Sequence, residues 1–200
     1  MRSAIAFAIA AVSLAACGEA SKTNPAPESR AEEPAPLDPN APAAELAALS
    51  SCVPVSAEGY CGVTWGMSPA EARAKFPVKL EDYNGDTSAE PNPNACYEMF
   101  AAEPVQGVSF LVENAKVGRV DVISEGPHTA DGFGVNSEAA AIRAKYGSAL
   151  TEAPNKYEKE ITELTIQQGA SKTVFEIQDE TVRAFRSGVA PTIDYTEHCG

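Results

Sequence analysis

Alternating apolar and polar residues mark the middle of this chain, and they predict β-strands. Three stretches have this pattern, Cys96–Phe100, Val108–Glu113 and Val117–Ile123, and a short polar step at Asn114 separates the last two. The close spacing of the last two stretches predicts a hairpin.

The third stretch shows the alternation most clearly. Val120 and Val122 fall on one face of the strand, whereas Arg119 and Asp121 fall on the other. The predicted sheet therefore has one apolar face and one face that carries charge.

Two short helices precede strand-like stretches. Ser68 is a good N-cap, Pro69 suits the first helical position and Glu71 completes a capping box. Ala72 and Phe76 then lie four residues apart, so they share one face of the helix. The sequence predicts an amphipathic helix of about two turns.

A second helix is predicted from Ser137 to Tyr146, and its sequence resembles the first. Arg143-Ala144-Lys145-Tyr146 repeats the pattern of Arg73-Ala74-Lys75-Phe76. Further along, Phe175–Asp179 repeats the pattern of Phe110–Asn114. Two pairs of similar segments in the same order predict a tandem repeat of about 65–70 residues.

The predicted fold class is therefore α+β. Each repeat is a short helix followed by about three antiparallel strands, with the helices packed on one sheet face. The first repeat spans residues 51–127, and the second spans residues 128–200 and includes the C-terminal tail.

The N-terminal region predicts export. Arg2 precedes an apolar run that is too short to cross a bilayer and has the shape of a secretory signal. The run ends in Leu14-Ala15-Ala16-Cys17, which resembles the lipobox of bacterial lipoproteins. This resemblance implies that residues 1–16 are a signal peptide and that Cys17 becomes the acylated N-terminus. The alternative is an ordinary secretory signal followed by an unmodified cysteine.

Residues 17–50 are predicted to be a lipidated cysteine followed by a tether. This segment is rich in Ala and Pro and has no aromatic residue, so it cannot build a core. One or two helical turns are expected at Ala43–Leu49. In the lipoprotein family, Gly18 after the cysteine favours the outer membrane, with the chain facing the periplasm.

The acidic composition excludes nucleic acid as a partner. The net charge of −13 at pH 7 repels nucleic acid and anionic headgroups, so membrane contact is expected through the lipid on Cys17. A protein partner is expected to be neutral or basic.

Four further cysteines predict two disulfides in an exported chain. Cys52 and Cys61 enclose a short loop, which favours their pairing and leaves Cys96 with Cys199. Two other pairings remain possible on the sequence alone.

Trp65-Gly66-Met67-Ser68, followed by a short helix, is similar to the helix start of β-lactamase-inhibitor-protein-like and BamE/SmpA-like envelope domains. The resemblance implies α+β units, single or in tandem, that act by binding proteins. It does not imply a particular partner.

The sequence contains no motif typical of catalysis, a cofactor or a metal centre. His128 and His198 lie about 70 residues apart, and solvated or capping roles are expected for both. Asp82, Asn84 and Asp86 match the start of a calcium loop, but Gly85 is misplaced for that motif.

We therefore expect a lipid-anchored periplasmic protein-binding module rather than an enzyme. The alternative is a small-ligand or calcium-binding lipoprotein, and an enzyme is the third option. Trp65, Tyr60 and Tyr97 are candidate anchors for a ligand or partner, although aromatic residues next to helix and strand starts also suit the core.

Overall fold

A computed structural model describes residues 41–52, 54–82, 95–103 and 105–199. All of them belong to one unit, Leu37–Gly200. The predicted signal peptide, the lipobox cysteine and most of the calcium-like loop lie outside the described residues. None of the described helices is long and apolar enough to cross a membrane.

The described part contains three α-helices and ten β-strands. The helices are α1 (Ala41–Ser50), α2 (Pro69–Lys75) and α3 (Ala139–Tyr146). The strands before α3 are β1 (Gly59–Tyr60), β2 (Val63–Thr64), β3 (Leu80–Asp82), β4 (Cys96–Ala101), β5 (Val108–Glu113) and β6 (Lys116–Val122). The strands after it are β7 (Leu150–Pro154), β8 (Thr162–Gln168), β9 (Ser171–Gln178) and β10 (Thr181–Val189).

Eight of these strands form one antiparallel sheet in the order β3-β4-β5-β6-β10-β9-β8-β7. The central pair is β6 and β10, in which Val120 lies opposite Ser187 and Val122 opposite Phe185. The α+β class is confirmed, and so are the three strands predicted between residues 96 and 123.

The core lies on one face of this sheet. Phe110 and Phe175 project from the two halves of the sheet into this core and are fully buried. Helix α2 contributes Ala72 to the same core, and helix α3 contributes Ile142. The alternation along β5 and β9 therefore decides which side chains meet the helices.

Helix α2 begins as its sequence predicts. The Ser68 hydroxyl accepts a hydrogen bond from the Glu71 backbone N–H, and the Glu71 carboxylate accepts one from the Ser68 backbone N–H. The Ser68 backbone N–H and the Ser68 hydroxyl both donate to the Glu71 carboxylate and hold the pKa of Glu71 below its usual value. The predicted capping box is confirmed.

The number of strands after each helix differs from the prediction. Helix α2 is followed by four strands, β3–β6, and α3 by four more, β7–β10. The two edge strands are not predicted from the sequence, because Leu80–Asp82 is only three residues long and Leu150–Pro154 is almost entirely exposed. Neither edge strand has the alternation that a half-buried strand needs.

The two central hairpins turn in the same way. Asn114 and Ala115 join β5 to β6, and Asp179 and Glu180 join β9 to β10. All four residues have positive φ, as two-residue turns that match strand twist require. The predicted tight connection at Asn114 is confirmed.

Part of the predicted tether is helical. The one or two turns expected at Ala43–Leu49 belong to helix α1, which has ten residues. Leu49 and Cys52 pack against the core, so the folded part begins before residue 51.

The predicted cysteine pairing is confirmed. Cys52 is bonded to Cys61, and Cys96 is bonded to Cys199. The second bond ties the C-terminal tail, which follows β10 and contains a 3₁₀ turn at Thr192–Asp194, to strand β4.

Candidate functional site

The sheet face that points away from the core carries charge near its centre. Ser109 on β5, Asp121 on β6 and Arg186 on β10 lie side by side on neighbouring strands. This is the polar face that the alternation of Arg119 and Asp121 predicts. The C-terminal tail crosses this face, because its residues bond to side chains that project from it.

Arg119 holds the tail on the sheet. Its side chain is 1% exposed. The guanidinium donates to the Asp121 carboxylate at 2.7 Å and to the carbonyl oxygens of Thr192 and Tyr195 at 2.9 Å each. Gly118 permits the close approach, since a Cβ there would lie 2.4 Å from Thr192 Oγ1. One buried cation thus joins the central strand to the tail.

Glu98, Asp121 and His198 converge where the tail passes over the sheet. One ligating atom from each lies within 4.8 Å of the others. His198 Nδ1 is 2.6 Å from Glu98 Oε1, and the Ser109 hydroxyl also donates to Glu98. The two carboxylate side chains are only 11% and 13% exposed, respectively. We call these three residues the carboxylate–histidine cluster.

The environment of the cluster shifts two of its pKa values. Burial raises the pKa of Asp121, and the neighbouring Arg119 guanidinium opposes that shift. The hydrogen bond to Glu98 raises the pKa of His198 above its ordinary value, while partial burial opposes the shift. The two shifts thus have different origins, burial for Asp121 and the contact with Glu98 for His198.

Two cavities meet at this cluster. One has a volume of about 520 Å³ and extends along β10 and the loop that contains Tyr157. The other has a volume of about 450 Å³ and extends along β4 and β5 past Phe100. Asp121, Ile123 and His198 line both. We call the combined depression the tail groove.

The tail groove also contains exposed apolar surface. Ile123 is 68% exposed and Tyr157 is 53% exposed, and among the described residues these are the large hydrophobic side chains that stand out into solvent. Both line the larger cavity. Isolated apolar side chains are ordinary on a surface, but two at one groove suit a binding site.

Arginines on β10 form the far wall of the tail groove. Arg186 bonds Glu176 and Glu163, and Arg183 bonds Glu158 and Glu176. Most of this charge is therefore neutralised within the wall. The buried Nε of Arg186 has no hydrogen-bond partner in the described part of the chain.

The aromatic residues singled out from the sequence lie elsewhere. Tyr60 is buried against Phe76, and its burial raises its pKa to about 12. Trp65 and Tyr97 pack against the same core, and the Trp65 indole donates to the Ala57 carbonyl. The structure thus places all three on the core side of the sheet, where the core interpretation expects them.

The structure also shows where Asp82 and the two histidines lie. Asp82, the first residue of the calcium-like motif, forms an ion pair with Arg73. His128 is exposed and lies 3.0 Å from the Gly126 carbonyl oxygen, as expected for a surface histidine. His198 differs from that expectation, because it pairs with a carboxylate and lines both cavities.

Comparison with known proteins assigns no family. No protein-family model matches the sequence, and no curated protein matches it. Three solved structures are weakly similar, at 10–11% sequence identity. An extracellular protein containing a SCP domain from Bacillus anthracis str. Ames has a TM-score of 0.43 over 62% of this chain and 44% of its own. This chain therefore spans less than half of that protein.

The other two structures are matched over most of their length. A DUF4309 family protein, YjgB from Bacillus subtilis subsp. subtilis str. 168, has a TM-score of 0.40 over 72% of this chain and 92% of its own. The uncharacterized protein yfeY from Escherichia coli has a TM-score of 0.41 over 68% and 99%. Similarity this low assigns neither a family nor a function.

Proposed function

We propose that this chain is a lipid-anchored module of the bacterial envelope, facing the periplasm, that binds a protein partner in the tail groove without catalysing a reaction. The observation that carries the proposal is the position of Ile123 and Tyr157, which both expose apolar surface in one groove. The centres of protein interfaces are apolar and depleted of charge, and aromatic side chains such as tyrosine are enriched there. The acidic net charge favours a neutral or basic partner segment.

The sheet topology supports a duplicated scaffold for this groove. We infer that α2 with β3–β6 and α3 with β7–β10 are two copies of one unit. Each copy is a helix followed by an antiparallel meander, and each ends on a strand of the central pair. The groove would then lie at the junction of the copies, since it is lined from β6 and β10.

Substitution of the exposed apolar residue tests the binding proposal. We expect the full chain to capture one protein by cross-linking in an envelope extract, and Ile123→Asp to reduce that capture at least tenfold. The charge would have to be desolvated at the centre of the interface. Ala140→Asp is the matched control, because it adds the same charge at an exposed position of α3, a helix on the core side.

The result should then be reproduced with the purified partner and with Tyr157→Ala. Equal capture by the wild-type chain and Ile123→Asp would contradict the proposal. So would the absence of capture by a bait with both disulfides formed.

The lipid anchor has a separate test. Two or more acyl chains bind a bilayer stably, whereas an unmodified chain of this charge does not. We expect replacement of residues 1–17 by an ordinary cleavable secretory signal to move most of the protein from the washed membrane fraction to the soluble fraction. The Cys52→Ser/Cys61→Ser double variant is the control, since it also replaces cysteines but keeps the lipobox. Retention of the chain without Cys17 in the membrane after signal cleavage would exclude the anchor.

A small ligand is a second candidate occupant of the tail groove. The unpaired Nε of buried Arg186 favours it, because a ligand oxygen would satisfy this donor. Each cavity also has the size of a small-molecule site. Absence of protein capture by a folded bait would favour this candidate.

A further inference from the structure

The carboxylate–histidine cluster has the composition of a metal centre. An imidazole nitrogen and two carboxylates are ligands that Zn²⁺ uses in proteins, and three protein ligands leave a position for water. We propose that Glu98, Asp121 and His198 bind one divalent transition-metal ion, with Zn²⁺ as the best match. This site does not depend on a protein partner, so it can be tested independently of the proposed function.

The geometry is close to what such an ion requires. The three ligating atoms already lie within 4.8 Å of one another. Ligands bound at about 2.0–2.2 Å from one tetrahedral ion lie roughly 3.5 Å apart, so small side-chain rotations complete the site. Glu98 and Asp121 project from a rigid sheet, and only His198 belongs to the tail.

The balance of charge at the cluster also favours a cation. Of the two largely buried carboxylates, only Asp121 is bonded to a guanidinium, that of Arg119. Arg119 bonds only Asp121 of the two and directs its remaining contacts to carbonyl oxygens of the tail. Buried carboxylates are costly unless they are paired or coordinate a metal. In the described part of the chain Glu98 bonds His198 and Ser109 but no arginine or lysine, so a divalent ion would supply a cation that also reaches this carboxylate.

The cavities on both sides of the cluster leave room for the ligands that complete the coordination of the ion. The two cavities of the tail groove open onto Asp121 and His198 from opposite directions. Water, or an oxygen of a bound molecule, can therefore reach an ion held by the three side chains. A simple ion pair between a tail histidine and a sheet carboxylate does not need this space.

The disulfide places the third ligand. Cys96 and Glu98 are two residues apart on β4, so their side chains share one face. Cys199 is bonded to Cys96, and His198 precedes it in the chain. The covalent bond thus holds the imidazole above the Glu98 carboxylate before any ion arrives. Such preorganisation lowers the entropic cost of binding.

The test is a zinc titration of the full chain, purified without a histidine tag, against a chromophoric chelator. We expect one Zn²⁺ per chain, and we expect His198→Ala to weaken the affinity at least tenfold. His128→Ala is the matched control, because it removes an exposed histidine away from the cluster. The Co²⁺-loaded chain should show ligand-field absorption that His198→Ala abolishes. Ca²⁺ and Mg²⁺ should not compete, because they prefer oxygen ligands.

Two further variants distinguish the loss of zinc binding at the cluster from a general loss of stability. Glu98→Gln keeps the shape of the side chain and should weaken Zn²⁺ binding while the protein stays folded. The Cys96→Ser/Cys199→Ser double variant, kept under folding conditions, should also bind Zn²⁺ more weakly because the tail is freed. Equal Zn²⁺ affinity in the wild-type chain and His198→Ala would overturn the proposal. So would the absence of saturable binding by the folded wild-type chain.

Discussion

Replacement of Arg119 by Met is expected to destabilise the protein by about 3–5 kcal/mol, the range for removing one member of a buried ion pair. The substitution leaves Asp121 as a buried carboxylate without its cation. It also removes the donors that the Thr192 and Tyr195 carbonyl oxygens use. Unpaired buried acceptors add to the cost. Urea unfolding of both proteins at one pH measures the difference.

Arg143→Met is the matched control for this experiment. Arg143 also forms two ion pairs, with Glu152 and Glu180, but it lies at the surface. Exposed pairs contribute little, so the expected cost is below about 1 kcal/mol. Replacing Arg119 and Asp121 together by apolar residues should recover part of the lost stability. An Arg119→Met protein as stable as the control would show that the tail is not held by this cation.

Removal of the disulfide between Cys96 and Cys199 is the second large effect. The bond closes a loop of 103 residues. In the chain-entropy model such a loop corresponds to about 4.7 kcal/mol, because the cross-link restricts the unfolded chain. We expect the Cys96→Ser/Cys199→Ser variant to lose an amount of this order in urea unfolding under oxidising conditions.

The other disulfide provides an internal comparison. Cys52 and Cys61 are only nine residues apart, and the same model assigns about 2.6 kcal/mol to that bond. The two double variants should therefore differ by roughly 2 kcal/mol, with the long-range bond the more important. The opposite order would mean that strain or residual structure in the unfolded chain outweighs loop entropy.

Parts of the candidate site were accessible from the sequence. Alternation placed Arg119 and Asp121 opposite the valines of their strand, and the structure confirms this. The pairing of Cys96 with Cys199 was also predicted correctly. Side chains two residues apart on a strand share one face, so Cys96 and Glu98 lie together. Because His198 directly precedes Cys199, the pairing of Cys199 with Cys96 also brings His198 near Glu98. The convergence of Asp121 on these two residues needed the sheet register, which joins strands β4, β5 and β6.

The aromatic residues show why the sequence did not predict which apolar side chains lie in the core and which lie in the groove. Tyr60 and Trp65 lie next to element starts and are equally suited to a core or to a binding surface. Their placement depends on which face of the sheet the helices cover. Ile123 is apolar in sequence like its strand neighbours, yet it is exposed because it lies just beyond the end of β6.

The sequence by itself determined the helix start at Ser68, the three strands between residues 96 and 123 and the α+β class, and it favoured one pairing of the cysteines. Helix caps, strand alternation and the short loop between Cys52 and Cys61 involve residues that are close in the chain, so their free energies can be estimated locally. Only the tertiary structure decided that β6 and β10 meet at the centre of one sheet and that the tail crosses its polar face. Those contacts join residues more than 60 positions apart, and they form because side chains from both halves bury a single core.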